Sequence, residues 1–520
     1  MEGITSLGQT AVWVALAVAL VGAAYALLLR GQVLAKETGN AEVQEVWDFL
    51  KVRGQMVRQG QIRTSAVVGI LLSMVAAASV VVFPPVDSAT HRFADSATLW
   101  IAAGRGGGLL VGGLVAALVG VFGTSIALES NARIAAIARK GYPFALHLGY
   151  QASSIPALLT VSLGLMGALL LLFLLGTAAF TSLLCFSIGT VAVALVFRLG
   201  GSIYTRAATH NGGDINEAEA APGVSRTAAL VADITRQDGA GPERCSPAAT
   251  DLFERFDLSL IAALLTGYLL ADGSAGTFLD GDYAMHFVLF PLLLRAVGVV
   301  AALVGTLLVR TDEQRRNARA AISKGFYTAQ GVAVVGSAII ALVFLQAPTD
   351  AQVDWRPFLA LLPGVILSVG LERLVYLFTP IFANPYKKVN RRSVLAQLVM
   401  GCTPALWGVL AALLAFASAW LLYAGEPEPT RMVALLYGAS LAGMGIFFSM
   451  GNAIAINHFA ALTSNAHSIG KAAALEKNAR NVLEDLAEVG SMTLGMARGN
   501  SLSITIIATI AILGSLFLSV

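Results

Sequence analysis

The 520-residue sequence is 57% hydrophobic and only 12% charged, with a formal net charge of +3. A soluble domain averages about 25% charged residues, so this composition points away from a soluble globular protein. The charge balance is also too small to argue for nucleic acid as a partner. Three widely spaced cysteines, Cys185, Cys245 and Cys402, form no CxxC or CxxCH pattern, which argues against a disulfide framework or a zinc site.

The apolar residues fall in runs of roughly 20 or more, the length that crosses about 30 Å of hydrocarbon. In chain order they centre on 9–31, 63–84, 99–128, 150–176, 178–204, 250–272, 284–309, 328–347, 357–382, 394–423, 431–460 and 499–519. They predict an all-α polytopic membrane protein of about 12 transmembrane helices, forming one membrane domain over 1–520. The first run is too long for a signal-peptide core and has acidic Glu2 but no Lys or Arg before it, so it reads as a membrane helix. Lipid-facing strands would alternate polar and apolar residues at period two, and these runs do not. The 52 glycines, many within the runs, suit close helix packing in lipid.

Lys and Arg concentrate on alternate connections: 36–63, 133–140, 206–244, 310–324, 387–392 and 471–498. The intervening connections are short, with only Arg92, Arg105, Arg356 and Arg431 at or near them. By the positive-inside rule the basic connections face the cytoplasm, as in the cytoplasmic membrane of a prokaryote, and both termini face outside. The longest, 206–249 between helices 5 and 6, reads HNGGDINEAEAAPG and then TRQDGAGPERCSP, the composition of a solvated loop. There is no internal repeat, P-loop, HExxH or GxSxG.

Charges inside apolar runs need partners, because each costs about 2.5–3.5 kcal/mol on insertion scales. Arg295, in LFPLLLRAVGVV, must find its partner on another helix, and Glu372 of the Glu372–Arg373 pair is the nearest acid by type. His458 and His467 have no neighbouring Cys or close His spacing and do not read as metal ligands.

Five segments carry a resemblance: AEVQEVWDFL at 41–50, ESNARIAAIARKG at 129–141, RLGGSIYTRAA at 198–208, DLFE at 251–254, and LEDLAEVGSMTLGMARG at 483–499. In this order they resemble the ion-translocating membrane pyrophosphatases, whose fifth helix carries RxGGGI[FY]TKAADVGAD. The resemblance implies long helices in two concentric rings, usually as a homodimer. It also implies Mg²⁺-pyrophosphate as substrate, hydrolysed at the cytoplasmic end of the inner ring to drive a proton or sodium ion across the bilayer.

The departures from the family pattern are specific. The expected count of about twelve helices compares with about sixteen in the family, so the expected fold lacks the last four. Family aspartates fall on Thr209, Gly213, Asn457 and Ser464, and Leu494 stands at the potassium-dependence position. Asp233, Asp238 and Glu243 align loosely with metal-binding carboxylates, and family lysines fall on Arg206 and Arg498. Thr, Gly, Asn and Ser cannot serve as a general base or supply the charged oxygens that hold Mg²⁺. Arg206 and Arg498 either bind an anion such as a diphosphate or snorkel to the interface.

Arg198, Asp251 and Glu254 match positions of the family's ion gate. Asp251 and Glu254 share a helix face at i, i+3. They are either an ion-gate remnant or a structural tie between two helices. Three functions follow: a pyrophosphate-energised ion pump with weak or lost hydrolysis, an enzyme on a diphosphate ester such as a prenyl diphosphate, or a non-catalytic scaffold or subunit of a membrane assembly.

Overall fold

Hydrocarbon offers backbone amides no partner except one another, so a chain with these apolar runs must close its hydrogen bonds within helices. The computed structural model describes residues 6–82, 97–175, 179–218, 245–271, 281–314, 316–346, 352–388, 394–428 and 430–518. These form α1 (Ser6–Leu34), α2 (Ala41–Val82), α3 (Ala97–Ile137), α4 (Tyr142–Leu175), α5 (Ala179–Ala218), α6 (Cys245–Thr250) and α7 (Phe253–Ala271). After them come α8 (Gly281–Leu308), α9 (Ala318–Phe344), α10 (Arg356–Lys388), α11 (Val394–Tyr423), α12 (Thr430–Ile446), α13 (Met450–Ala472) and α14 (Lys477–Leu518). The only β pairing among the described residues is an isolated bridge between Gln346 and Val353.

The described residues of the apolar runs are mostly helical, with 250–272 crossing from α6 to α7 and 431–460 from α12 to α13. By length and composition, however, seven described helices qualify as membrane spans, or eight if the bent α12–α13 pair is one. α7 falls short because Glu254, Arg255 and Asp257 crowd its 19 residues. Shorter apolar stretches, Gly408–Tyr423 of α11 and Ser501–Ser515 of α14, stand out among the described residues.

Several basic connections are themselves helical. α2 and α14 have 42 residues each, roughly 63 Å at 1.5 Å per residue, about twice the hydrocarbon thickness. Their polar halves therefore stand outside the membrane as helix and not as loop. The polar half of α2 docks on the end of α3. Lys51 Nζ lies 3.0 Å from Glu129, the Trp47 indole donates to the Leu128 carbonyl at 2.6 Å, and Arg133 bonds the Lys36 carbonyl at 3.0 Å. Arg133 also lies 6.0 Å from the Trp47 ring, so the segments 41–50 and 129–141 meet in space.

Burial separates an inner from an outer set. Of the apolar stretches, 78% of α8 and 67% of α4 are buried, against 33% of α1 and α9 and 22% of α2. α7, α12 and α13 are also buried on almost every side. The outer helices turn Leu, Val and Ile outward, as lipid-facing surfaces do.

The tightest seam joins α3 to α5. Gly104, Gly108 and Gly112 repeat at four-residue spacing on one face of α3, the small-xxx-small pattern that lets backbones touch in lipid. A Cβ on Gly112 would run into the backbone carbonyl of Phe186, and one on Gly189 of α5 into that of Leu109. Backbone cannot yield there as a flexible side chain could. Gly107, on the same helix, faces open space. We expect Gly112→Leu to destabilise the detergent-solubilised protein by at least the ~1–3 kcal/mol typical of overpacking, read as a lower thermal midpoint. Gly107→Leu should leave the midpoint unchanged, and equal effects of the two would show that the seam is not a steric constraint.

Candidate functional site

α5 carries Arg198 to the start of α7, where the DLFER sequence supplies Asp251, Glu254 and Arg255. The Arg198 guanidinium pairs directly with Glu254 and lies 3.7 Å from Asp251. The i, i+3 spacing of the two carboxylates puts both on the face that meets Arg198. Arg255, which the sequence reading passed over, completes the cluster. It lies 3.7 Å from Asp251 and 3.9 Å from Glu254. The signal for it was its i+4 offset from Asp251. Two cations and two anions make the cluster neutral, which is the cheapest way to hold four charges at a membrane boundary. The helix under Arg198 is anchored as well, since Gln61 of α2 donates to the Phe197 carbonyl at 3.2 Å.

One turn deeper, Asp257 is 1% exposed, and so is a buried acid that the sequence reading also missed. Arg295 of α8 reaches toward the same turn of α7. Its guanidinium lies 3.3 Å from the Phe256 ring centroid and donates to the Phe256 carbonyl and, at 3.1 Å, to Ser259. The expected pairing of Arg295 with Glu372 is therefore corrected. Glu372 on α10 accepts bonds from Ser323, at 2.9 Å, and Tyr327 of α9, beside Arg373. Sequence type named an acid for Arg295, but helix order alone could not say which one.

Arg206, Thr209 and Gly213 lie on α5, and Leu494 and Arg498 on α14. Both helices pack on α7, but these side chains lie outside the described residues. So do Asp233, Asp238 and Glu243 entirely. Asn457 and Ser464 are described, on α13. Asn457 is 2% exposed, and its amide donates to the Ala248 carbonyl at 2.9 Å. Ser464 is half-buried. His458 on the same helix is buried.

The donors that are described do not fit Mg²⁺. A hard divalent cation wants several charged oxygens, whereas Asn457 and Ser464 offer only neutral ones. No group of three His, Cys, Asp or Glu side chains stands together for a metal among the described residues.

The four-charge cluster predicts a measurable coupling. Arg198→Met leaves two carboxylates facing one arginine, whereas Arg198→Met with Glu254→Gln leaves a balanced Asp251–Arg255 pair. The double variant should unfold at a higher temperature than Arg198→Met alone, with a coupling of about 0.5–3 kcal/mol. The side chains are 29% and 10% exposed, so solvent screening keeps the loss below the ~3–5 kcal/mol of a fully buried broken pair. Strictly additive losses would show that the cluster is not an energetic unit.

Comparison with known proteins completes the picture. Residues 20–519 match the family described as inorganic H+ pyrophosphatase. The K(+)-insensitive pyrophosphate-energized proton pump of Chloroflexus aurantiacus is 40% identical over 100% of this chain and 68% of its own length. A protein of the same description from Streptomyces coelicolor is 26% identical over 96% of this chain and 64% of its own. A putative K(+)-stimulated pyrophosphate-energized sodium pump of Clostridium tetani is 22% identical over 78% of this chain and 58% of its own. The chain thus spans about two thirds of the length of these relatives. An all-helical membrane fold, the segments at 41–50, 129–141, 198–208 and 251–254 in order, and a match over nearly the whole sequence converge: the chain is an integral membrane protein of the inorganic H+ pyrophosphatase family.

Proposed function

We propose that this chain moves a proton or sodium ion through the Arg198–Asp251–Glu254 cluster and hydrolyses Mg-pyrophosphate very slowly or not at all. The observation that carries the reading is the contrast between two places. Arg198, Asp251 and Glu254, read as ion-path charges, are paired between α5 and α7. Asn457, at a family aspartate position, spends its amide on the Ala248 carbonyl. Arg206 and Arg498 retain positive charge for an anion such as a diphosphate, and Asp233, Asp238 and Glu243 are the carboxylates left to hold Mg²⁺.

General-base loss alone removes about 10²–10⁴-fold in rate, and loss of metal clamping adds several kcal/mol to the barrier. Phosphate release from vesicles with Mg²⁺ and either sodium or potassium is expected to be far below the roughly 10 s⁻¹ of an average enzyme. Turnover near that rate, abolished by Arg206→Ala, would overturn the proposal.

The same reading includes twelve spans, a single domain over 1–520, a cytoplasmic 206–249 connection, both ends outside and a homodimer. The charges on the opposite side support the orientation, because they are neutralised locally. Arg356 is held by Asp354 at 2.8 Å and also by Glu426, and Arg431 lies 3.5 Å from Glu428. A cysteine at Ala218 should be labelled only from the cytoplasmic side, and the native mass in mild detergent should be twice that of the chain. Labelling of that cysteine from outside would reverse the topology, and a monomeric mass would remove the dimer.

A further inference from the structure

The outer helices α9 and α10 each turn an apolar stripe toward lipid, and each stripe leads to a cation. On α10, Leu359, Ile366 and Arg373 recur every seven residues and so share one face. Leu359 is 41% and Ile366 70% exposed, and the Arg373 side chain is 65% exposed. On α9 the exposed Leu342, Ile339 and Val335 lead down one face to Gly331 and Lys324, which are exposed as well. Ser323 and Tyr327 meet Glu372, whereas Gln330 meets Ser368 at 3.1 Å. The two helices are therefore antiparallel, and Arg373 lies level with Tyr327. Arg373 comes 17 residues after Arg356, and Tyr327 comes 17 residues before Phe344. Each is roughly 26 Å along its helix from the connection that joins the two. That places them near the edge of a hydrocarbon layer about 30 Å thick, on the side of the basic 310–324 connection. Lipid phosphates lie at this level.

Snorkelling explains a flexible cation at an interface, but Arg373 is held in place. Its neighbour Glu372 is 5% exposed and turned inward, where Ser323 and Tyr327 donate to its two oxygens. Arg373 comes closest to it at 3.9 Å, from Nε to the oxygen that Tyr327 already serves. The guanidinium lies over the Tyr327 ring, 5.1 Å from its centroid. The hydroxyl of Tyr327 thus holds the acid inward while its ring supports the cation outside. A guanidinium so held presents a planar fork of donors that matches a phosphate. Lys324 stands one turn from Tyr327, at i, i+3. Together Lys324, Arg373 and Glu372 carry +1, the charge that one phosphodiester monoanion neutralises. One turn farther into the hydrocarbon, Gly331 and Gly370 face open space among the described residues, with nothing within 4 Å of where a Cβ would stand.

We propose that this outer face of α9 and α10 binds an anionic phospholipid. Arg373 and Lys324 take its phosphate, and the gap at Gly331 and Gly370 takes the start of an acyl chain. A zwitterionic lipid brings its own ammonium to a site that is already +1, so the site selects headgroups of net negative charge. Free phosphate would meet the cations but leave the gap unfilled. The site is separate from the Arg198 cluster and does not depend on pyrophosphate hydrolysis or ion movement.

The test is native mass spectrometry of the full chain in mild detergent. The chain is titrated with phosphatidylglycerol, with phosphatidylcholine of the same acyl chains, and with inorganic phosphate. We expect phosphatidylglycerol to bind at lower concentration than phosphatidylcholine and phosphate not to compete with it. Arg373→Met and Lys324→Met should each weaken phosphatidylglycerol binding about fivefold, as for a basic residue at an anionic surface. Gly331→Leu should weaken it with every charge in place, and it keeps the proposal testable if a charge variant fails to fold. Arg30→Met removes an exposed cation near the end of α1 that leads to the basic 36–63 connection, and should change nothing. Equal binding of the two lipids, competition by inorganic phosphate, or the same loss from Arg30→Met as from Arg373→Met would overturn the proposal.

Discussion

A charge placed in hydrocarbon or at its edge is held most cheaply against its opposite, because little solvent is available to replace it. Much of the interior of this protein follows from that constraint. α5 brings one arginine to a turn that carries two acids and a second arginine. α8 brings Arg295 to the next turn of the same helix, against Phe256 and Ser259. α9 offers Ser323 and Tyr327 to Glu372 of α10. These contacts join helices that the hydrophobic effect alone does not join, since lipid tails are as apolar as Leu. Each pair also fixes a rotation, because a helix turned by one residue would present its charge to lipid.

Position along the membrane normal is fixed in another way. The glycine seam lets α3 and α5 meet backbone to backbone, and a seam without side chains has little freedom to slide. Gln61 then ties α2 to the carbonyl of Phe197, the residue before Arg198. The long polar half of α2 is in turn held to α3 by Lys51 and Trp47. A glycine spacing on α3, a polar helix outside the membrane and an arginine at its boundary thus form one mechanical chain. The depth of Arg198 is inherited from contacts that carry no charge.

The helical class was legible because a 20-residue apolar run has few alternatives in lipid. The convergence of Arg198, Asp251 and Glu254 was legible because two acids at i, i+3 share a face and the resemblance named the arginine. Three things were not legible. Arg295 was assigned the wrong acid by type, because partner choice between helices depends on their order in space, which periodicity does not encode. Asp257 was passed over because in FERFDLSLIAAL it reads as one more polar residue at a helix start, and only its burial sets it apart. The polar halves of α2 and α14 read as connections, since without apolar periodicity a solvated helix and a loop look alike in composition.

The two halves of the proposed function differ in how substitution affects them, and this gives the reading its physical logic. A carboxylate facing a water-filled, metal-binding mouth can become Asn, Ser, Thr or Gly and leave only a polar group that water or backbone will satisfy. Asn457 shows how readily, with its amide on the Ala248 carbonyl at 2.9 Å. What the proposed reading loses there is chemistry, because a neutral amide cannot accept a proton or bring a charged oxygen to a metal. An acid paired with an arginine inside the membrane cannot be replaced so simply. Removing Asp257 leaves the buried Arg295 without its nearby acid, and removing Glu254 unbalances the partly exposed Arg198 cluster, so the cost falls on folding before it falls on transport. Single substitutions therefore erode the hydrolytic site more easily than the ion path. The function proposed above, weak hydrolysis beside a retained ion path, is what that asymmetry would produce.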